Sequence, residues 1–118
     1  MSFDNVEMQK LENLLKEEGI PYANQSDNFG IFSTMPKYAE IERIHIYLKK
    51  SMTRLASVVH GYGTYGGYSK ADKSDDGGLL EVMTWRDDDP IGYVKADEAF
   101  RMIEEAIETK AELIAKIS

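Results

Sequence analysis

The chain has 118 residues, of which 42% are hydrophobic, so it is long enough to form one domain with an ordinary buried core. It contains no cysteine, which excludes disulfides, thiolate metal sites and a cysteine nucleophile. Its 14 basic and 21 acidic residues give a net charge of −7, which argues against a nucleic-acid backbone as the main partner, because proteins that bind one carry basic surfaces. No apolar run reaches the length of a membrane span, and no leader-like segment precedes the first predicted helix. We therefore expect a cytoplasmic protein without membrane contact.

The first predicted element is a helix over residues 4–18. Asp4 and Glu7 have the spacing of an N-cap and capping box. Apolar residues follow at helical intervals, and Gly19 supplies the left-handed backbone that commonly ends a helix. Residues 20–22 are expected to form a short extended segment at a sheet edge, because Pro21 has no N–H for a ladder. Residues 29–33 are predicted to form a further short strand.

The middle of the chain predicts a sheet. Alternation over residues 40–48 places Ile44 on one face and both Arg43 and His45 on the other. Residues 55–60 resume as a strand that pairs with it in a hairpin, and residues 79–85 and 91–94 add two more. A long helix is predicted from about residue 96 to residue 117. The whole chain, residues 1–118, is thus predicted to be a single α+β domain. Its mostly antiparallel β-meander sheet is flanked by an N-terminal helix and a long C-terminal helix.

A glycine-rich segment, residues 61–78, separates two of the predicted strands. It begins directly after His60 and reads Gly61, Tyr62, Gly63, Thr64, Tyr65, Gly66, Gly67. Glycine lets the backbone approach a ligand closely, successive amides can form an anion-binding nest, and tyrosine rings can stack on a base. These properties suit a nucleotide or another phosphorylated small molecule. The alternative is a simple connector between strands, and its charged centre, residues 68–76, has little reason to order by itself.

Other candidate ligand-binding residues lie on the predicted strands. Arg43, Arg54 and Arg86, which directly follows a predicted strand, are candidate phosphate clamps, because a guanidinium group matches phosphate bidentately. His60 abuts the glycine-rich segment, and Glu81 interrupts an apolar strand, where it either faces solvent or lines a pocket. The acidic run over residues 87–89 is more typical of a solvated turn than of a cation site. We predict no catalytic residue, no metal ligand and no cofactor.

Three motifs occur in a fixed order along the chain. Residues 57–67 read Ser-Val-Val-His-Gly-Tyr-Gly-Thr-Tyr-Gly-Gly, residues 78–83 read Gly-Leu-Leu-Glu-Val-Met, and residues 92–97 read Gly-Tyr-Val-Lys-Ala-Asp. Together with Gly-Ile-Pro-Tyr at residues 19–22, this order resembles a family of small proteins of phages and prophages in Gram-positive bacteria. The likeness covers most of the chain, although residues 68–76 form a longer, charged insert. It implies a phage protein that acts in the bacterial host cytoplasm.

Small, acidic, oligomeric phage proteins are often anti-defence factors, and one kind sequesters the nucleotide signals of bacterial immunity. By this analogy of kind, we expect a non-enzymatic homo-oligomer, with its last helix in the subunit contact. It would sequester a nucleotide immune signal of the cyclic-nucleotide or ADP-ribose type. One alternative is a protein-binding inhibitor that blocks a host defence enzyme through its acidic surface. A second is an enzyme that cleaves such nucleotides, with His60 or His45 as the acid or base.

Overall fold

Two helices and five antiparallel strands make up the part of the chain that the structure describes. This structure, a computed structural model, describes residues 3–26, 41–49, 51, 53–69 and 74–117. The elements follow in the order α1 (Val6–Glu17), β1 (Tyr22–Asn24), β2 (Ile41–Tyr47), β3 (Arg54–Gly61), β4 (Leu80–Thr84), β5 (Ile91–Val94) and α2 (Ala96–Ile117). The predicted α+β fold, a meander with a helix at each end, is confirmed. The short strand predicted for residues 29–33 lies outside the described residues.

The strands lie in the sheet in their chain order, from β1 to β5, and each pairs antiparallel with the next. β2 and β3 form the predicted hairpin, with one irregularity near its turn. Ile46 lies opposite Ala56 and Tyr47 lies opposite Arg54, so Leu55 is an extra residue in β3, a β-bulge. Because an extra residue reverses the alternation of faces along a strand, Arg54 follows the face of Tyr47 rather than that of Ala56.

Both helices pack against one face of the sheet. The buried side chains of this core come from α1, from α2 and from the inward positions of four strands, and they include Met8, Leu11, Leu15, Ile44, Ile46, Val58, Leu80, Val82, Val94, Ala99 and Ile103. Full burial of each large aliphatic side chain stabilises the fold by roughly 1.5–3 kcal/mol. Because side chains alternate along a strand, the residues between these positions lie on the opposite face of the sheet.

The start of α1 differs from the prediction, which named Asp4 as N-cap and Glu7 as its capping-box partner. The N-cap is Asn5, whose side chain accepts the N–H of a first-turn residue at 2.9 Å. Glu42 on β2 takes the role expected of Glu7, because its carboxylate accepts the Asp4 N–H at 2.6 Å and the Asn5 N–H at 3.2 Å. Glu7 instead accepts the Ala96 N–H at 2.8 Å. The capping interactions therefore join α1 to the sheet and to α2.

The end of α1 follows the prediction. Gly19 has a φ of +64°, its N–H donates to Lys16 O at 3.2 Å, and the N–H of Ile20 donates to Leu15 O at 3.0 Å. This pair of hydrogen bonds is the Schellman motif, in which a left-handed residue lets the chain turn back and satisfy the last helical carbonyls. The turn directs the chain into β1.

α2 is buried only along its first half. Ala99, Ile103 and Ala106 are buried, whereas every residue from 111 to 117 is exposed. Leu113 and Ile114 are 40% and 39% exposed. The final turns of this helix therefore carry apolar side chains that the core of this chain does not cover.

Candidate functional site

The face of the sheet opposite the helices carries charged, polar and apolar side chains in two rows across the strands. Arg43 lies opposite Val59, which lies opposite Glu81, and His45 lies opposite Ser57. Arg43 and His45 therefore share a face, as the alternation in β2 predicts. These positions bring residues from three strands, far apart in the sequence, onto one surface.

A cleft of about 350 Å³ lies at the end of this surface, where β3 runs into the glycine-rich segment. We call it the loop cleft, and the residues that matter for its chemistry are Arg43, Val59, Tyr62, Gly63, Thr64 and Glu81. The structure thus brings together five of the predicted ligand-binding residues, two from strands and three from the loop. The volume falls within the range of small-molecule sites.

A second cleft of about 550 Å³ adjoins the first along the same surface. We call it the arginine cleft, because Arg43 and Arg54 both line it, together with His45 and Trp85. Arg43, Ser57 and Met83 line both clefts. Arg43 therefore lies between two adjoining spaces, and Arg54 belongs to the second one only.

The first part of the glycine-rich segment is held in shape by its own hydrogen bonds. The Thr64 hydroxyl donates to Gly61 O at 3.0 Å and accepts from Gly61 N at 3.1 Å. Gly67 N donates to Thr64 O at 3.0 Å, and Gly63 N donates to Tyr68 O at 2.8 Å. Most of the backbone N–H groups expected to form an anion nest thus already bind protein oxygens. The segment therefore forms an internally hydrogen-bonded wall of the loop cleft rather than a phosphate cradle.

Two of the loop glycines are required by close packing. A Cβ atom on Gly67 would overlap Gly61 O and lie 2.5 Å from the Thr64 hydroxyl, and one on Gly66 would lie 2.9 Å from the Leu79 side chain. Gly63, in contrast, has open space around it and needs glycine only for its φ of +80°. The glycines therefore serve mainly to close the loop on itself.

Glu81 fastens the loop to the sheet. Its Oε1 atom accepts the Tyr65 N–H at 2.9 Å, and Tyr65 O accepts the Tyr93 N–H at 3.2 Å. Both situations predicted for Glu81 apply, because it lies on the open face of the sheet and also lines the loop cleft. Tyr65 is not one of the described residues that line the loop cleft, and its side chain is 54% exposed. Glu81 thus positions the loop through one carboxylate oxygen and also lines the loop cleft.

The structure does not bring His60 to either cleft. It lies on the helix-covered side of β3 with Val58 and is 6% exposed. Its Nδ1 atom lies 2.8 Å from Leu79 O, and its Nε2 atom lies 3.3 Å from a carboxylate oxygen of Asp76. Because both ring nitrogens contact protein oxygens, this imidazole has a structural role. It ties β3 to the end of the glycine-rich segment.

The charged part of the glycine-rich segment is tied down at both described ends. Ser69 N donates to both carboxylate oxygens of Asp75 at 3.0 Å, and Asp76 accepts the Gly78 N–H at 2.9 Å besides contacting His60. Residues 70–73 lie outside the described residues. Among these contacts, only the one with His60 comes from a neighbouring strand, and the other two lie within the segment.

The acidic turn and the single tryptophan have structural partners. Asp87 accepts from both the N–H and the hydroxyl of Thr84 at 2.9 Å, which is the behaviour of a turn-forming carboxylate. Trp85 donates its indole N–H to Ala106 O at 3.0 Å, and the Lys110 ammonium lies 4.6 Å from its ring. No group of three or more potential metal-ligating side chains occurs among the described residues.

Sequence reasoning missed two kinds of residue at this surface. Ser57 and Met83 line both clefts. The register of β2, β3 and β4 could have identified them, because it places both residues in the row next to that of Arg43. Asp76, the partner of His60, had no signal, because its place depends on how the loop folds back.

No protein-family model, curated protein or solved structure matches this chain. None of the described helices combines the length and apolarity needed to span a membrane.

Proposed function

We propose that the protein binds a small anionic ligand of the nucleotide class in the loop cleft and sequesters it without changing it chemically. The observation that supports this proposal is the cleft itself, in which Arg43, Tyr62 and Glu81 converge from a strand, a loop and a second strand. A guanidinium, an aromatic ring and a carboxylate are complementary to the phosphate, the base and the amino or hydroxyl groups of a nucleotide, respectively.

Arg43 is the residue on which recognition of the anion depends. The loop amides are largely engaged within the protein, so the strong donors for a phosphate must come from side chains. Arg43 is half-buried on β2 and lines the cleft directly. A half-buried guanidinium forms stronger, less screened hydrogen bonds to phosphate than an exposed one.

Tyr62 and Glu81 give the cleft its selectivity under this proposal. Tyr62 is 39% exposed, so one part of its ring is accessible to cover a base. Glu81 uses one oxygen for the Tyr65 N–H, and a carboxylate has further acceptor positions. These can accept from an exocyclic amine or a ribose hydroxyl. Tyr62 is carried by the folded loop and Glu81 by β4, and the Tyr65 N–H joins the loop to Glu81, which limits the ordering cost of binding.

Sequestration is favoured over cleavage by the place of His60. An acid or base catalyst needs to come within hydrogen-bonding distance of the reacting group, and the His60 ring nitrogens lie against Leu79 O and Asp76 on the helix-covered side. His45 lines the arginine cleft, so the cleavage alternative now depends on that residue.

We further propose that the protein is a homo-oligomer in the bacterial host cytoplasm, with α2 in the contact. The exposed side chains of Leu113, Ile114 and Ile117 lie on the half of α2 that the core does not cover. Exposed apolar clusters of this kind mark interaction sites, and a second copy of the same helix is a suitable cover.

The proposed function is tested by incubating the protein with cyclic mononucleotides, cyclic dinucleotides and ADP-ribose-type nucleotides. Free nucleotide is measured before and after heat denaturation. We expect one of them to be depleted and then released intact by heat. Arg43→Ala should abolish depletion, whereas Arg101→Ala, which removes an exposed arginine on α2, should not. An altered nucleotide after heating would establish cleavage, and the absence of depletion would overturn the proposal in favour of a protein-binding inhibitor.

A further inference from the structure

The two clefts on the sheet surface are adjoining parts of one surface, because Arg43, Ser57 and Met83 line both of them. We infer that the arginine cleft is a second anion subsite. The protein would then take ligands that carry two separate phosphate groups on one nucleoside or dinucleotide framework. This inference rests on the proposed function and narrows its ligand class.

The spacing of the two arginines suits two anionic groups. Arg54 lies opposite Tyr47, which is four residues beyond Arg43 on β2. At roughly 3.3 Å per residue, the two arginine backbones are separated by about 13 Å along the strands. Arg54 lines only the arginine cleft, and Arg43 lines both clefts. A phosphate held by Arg43 at the boundary therefore leaves Arg54 available for a second one farther along the same surface.

The surrounding charges favour this arrangement. The chain has four arginines and a net charge of −7, yet two of the four arginines lie on this one surface, with His45 between them in the register. Asp87 is the described carboxylate at the border of the arginine cleft, and its Oδ2 atom already accepts two hydrogen bonds from Thr84. Among the described residues that line the two clefts, two arginines thus balance two carboxylates, Glu81 and Asp87, whereas the chain as a whole has an excess of seven negative charges.

The bulge at Leu55 is what makes the second subsite possible. Without the extra residue, Arg54 would share the face of Ala56 and Val58, which pack in the core beneath the helices. The bulge pairs Arg54 with Tyr47 instead. β-Bulges commonly redirect a side chain beside a functional site, and here the redirected side chain is the second guanidinium.

The inference is tested by calorimetry with matched nucleotides that differ by one phosphate. The probes are adenosine and guanosine 5′-monophosphates and the corresponding 3′,5′-bisphosphates. A charge-assisted pair with the second phosphate should make the better bisphosphate bind about tenfold to hundredfold more tightly than its monophosphate. Its affinity should also fall more steeply with salt.

Arg54→Ala should remove this advantage and leave monophosphate binding within about twofold of the wild type, while Arg43→Ala weakens both ligands. Arg86→Ala is the matched control, because Arg86 is exposed and lines neither cleft among the described residues. Equal affinity for both ligands in the wild type would overturn the second subsite and leave the proposed function intact. So would an Arg54→Ala variant that weakens both ligands equally. Failure of all four probes to bind at millimolar concentration would also overturn the second subsite, whereas the proposed function is decided separately by the depletion assay.

Discussion

The loop cleft depends on the closed shape of the glycine-rich segment, so the sharpest perturbation of the site is Gly67→Ala. The added methyl group would overlap Gly61 O and press on the Thr64 hydroxyl, so the loop must open. Opening breaks the Gly67 N–Thr64 O bond and both bonds between Thr64 Oγ1 and Gly61. Three hydrogen bonds at roughly 0.5–1.5 kcal/mol each give a loss of about 1.5–4.5 kcal/mol in the free energy of unfolding.

Gly63→Ala is the matched comparison within the same loop. Gly63 has a φ of +80° and no atom within 4 Å of an added Cβ, so alanine there costs only the left-handed backbone, roughly 1–2 kcal/mol. The loop should keep its closed shape in this variant. Both proteins should stay folded, because a domain of this size typically has about 5–15 kcal/mol of stability and neither residue belongs to the core beneath the helices.

Urea unfolding measures the two losses, and hydrogen exchange at the amides of Gly63, Tyr65 and Gly67 reports the loop. In the wild type these three amides donate to Tyr68 O, Glu81 and Thr64 O and should exchange slowly. Gly67→Ala should make them fast and remove ligand binding, while Gly63→Ala keeps them slow. A Gly67→Ala protein with wild-type stability and slow exchange would refute the reasoning. Greater damage from Gly63→Ala than from Gly67→Ala would refute it as well.

Three further outcomes are expected. Burial, together with the hydrogen bond to Glu12 and its charge, raises the pKa of Tyr22 from 10.0 to about 12. The stabilisation that neutral Tyr22 gives the fold is therefore complete below pH 10 and is lost as the pH rises toward 12. Urea unfolding should show that the free energy of unfolding falls by at most about 1.3 kcal/mol between pH 9 and 11, because solvent screening reduces the effect. This decrease should be missing in Tyr22→Phe. Light scattering should give a dimer or larger species for the wild type and a monomer for Ile114→Asp, and a wild-type monomer at high micromolar concentration would contradict the α2 contact. Glu81→Gln should retain binding better than Glu81→Ala in calorimetry, because only a side chain with an acceptor oxygen can hold the Tyr65 N–H; equal loss in both variants would contradict this role.

The fold was predictable because its elements depend on local patterns. The helical stripe of α1, the alternation of β2 and the apolar run of β4 each favour one type of structure regardless of the rest of the chain. The N-cap was not predictable in the same way. Asp4 and Asn5 are both good caps, and the choice between them depends on Glu42, a residue of β2 whose carboxylate accepts the N–H groups of both.

The sequence predicted several residues of the candidate site but not which of them lie together on one face of the sheet. Alternation puts Arg43 and His45 on one face of β2, but the sequence does not say which face the helices cover. His60 lies two residues after Val58 and therefore on the same face of β3. Because the helices cover that face, His60 does not reach the clefts. The bulge at Leu55 moves Arg54 to the other face of the sheet. A single extra residue in a strand cannot be recognised from the hydrophobic pattern.

The way the loop is built bears on which proposed function fits the molecule best. A phosphate cradle made of free amides carries the cost of desolvating those amides when no ligand is present, and a mobile loop has to be ordered each time a ligand binds. Here the amides of Gly63, Tyr65 and Gly67 are satisfied within the protein, and the ring of Tyr62 is carried on a frame that exists before binding. A preformed wall lowers the entropic cost of association, because no loop has to be ordered when the ligand binds. The affinity gained in this way appears mainly as slower release of the ligand. Slow release hinders a catalyst that must discharge its product at every turnover, and it benefits a protein whose task is to keep a signal out of circulation. The internal hydrogen bonding of the loop, which removes the anion nest expected from its glycines, is for this reason an argument for sequestration rather than against ligand binding.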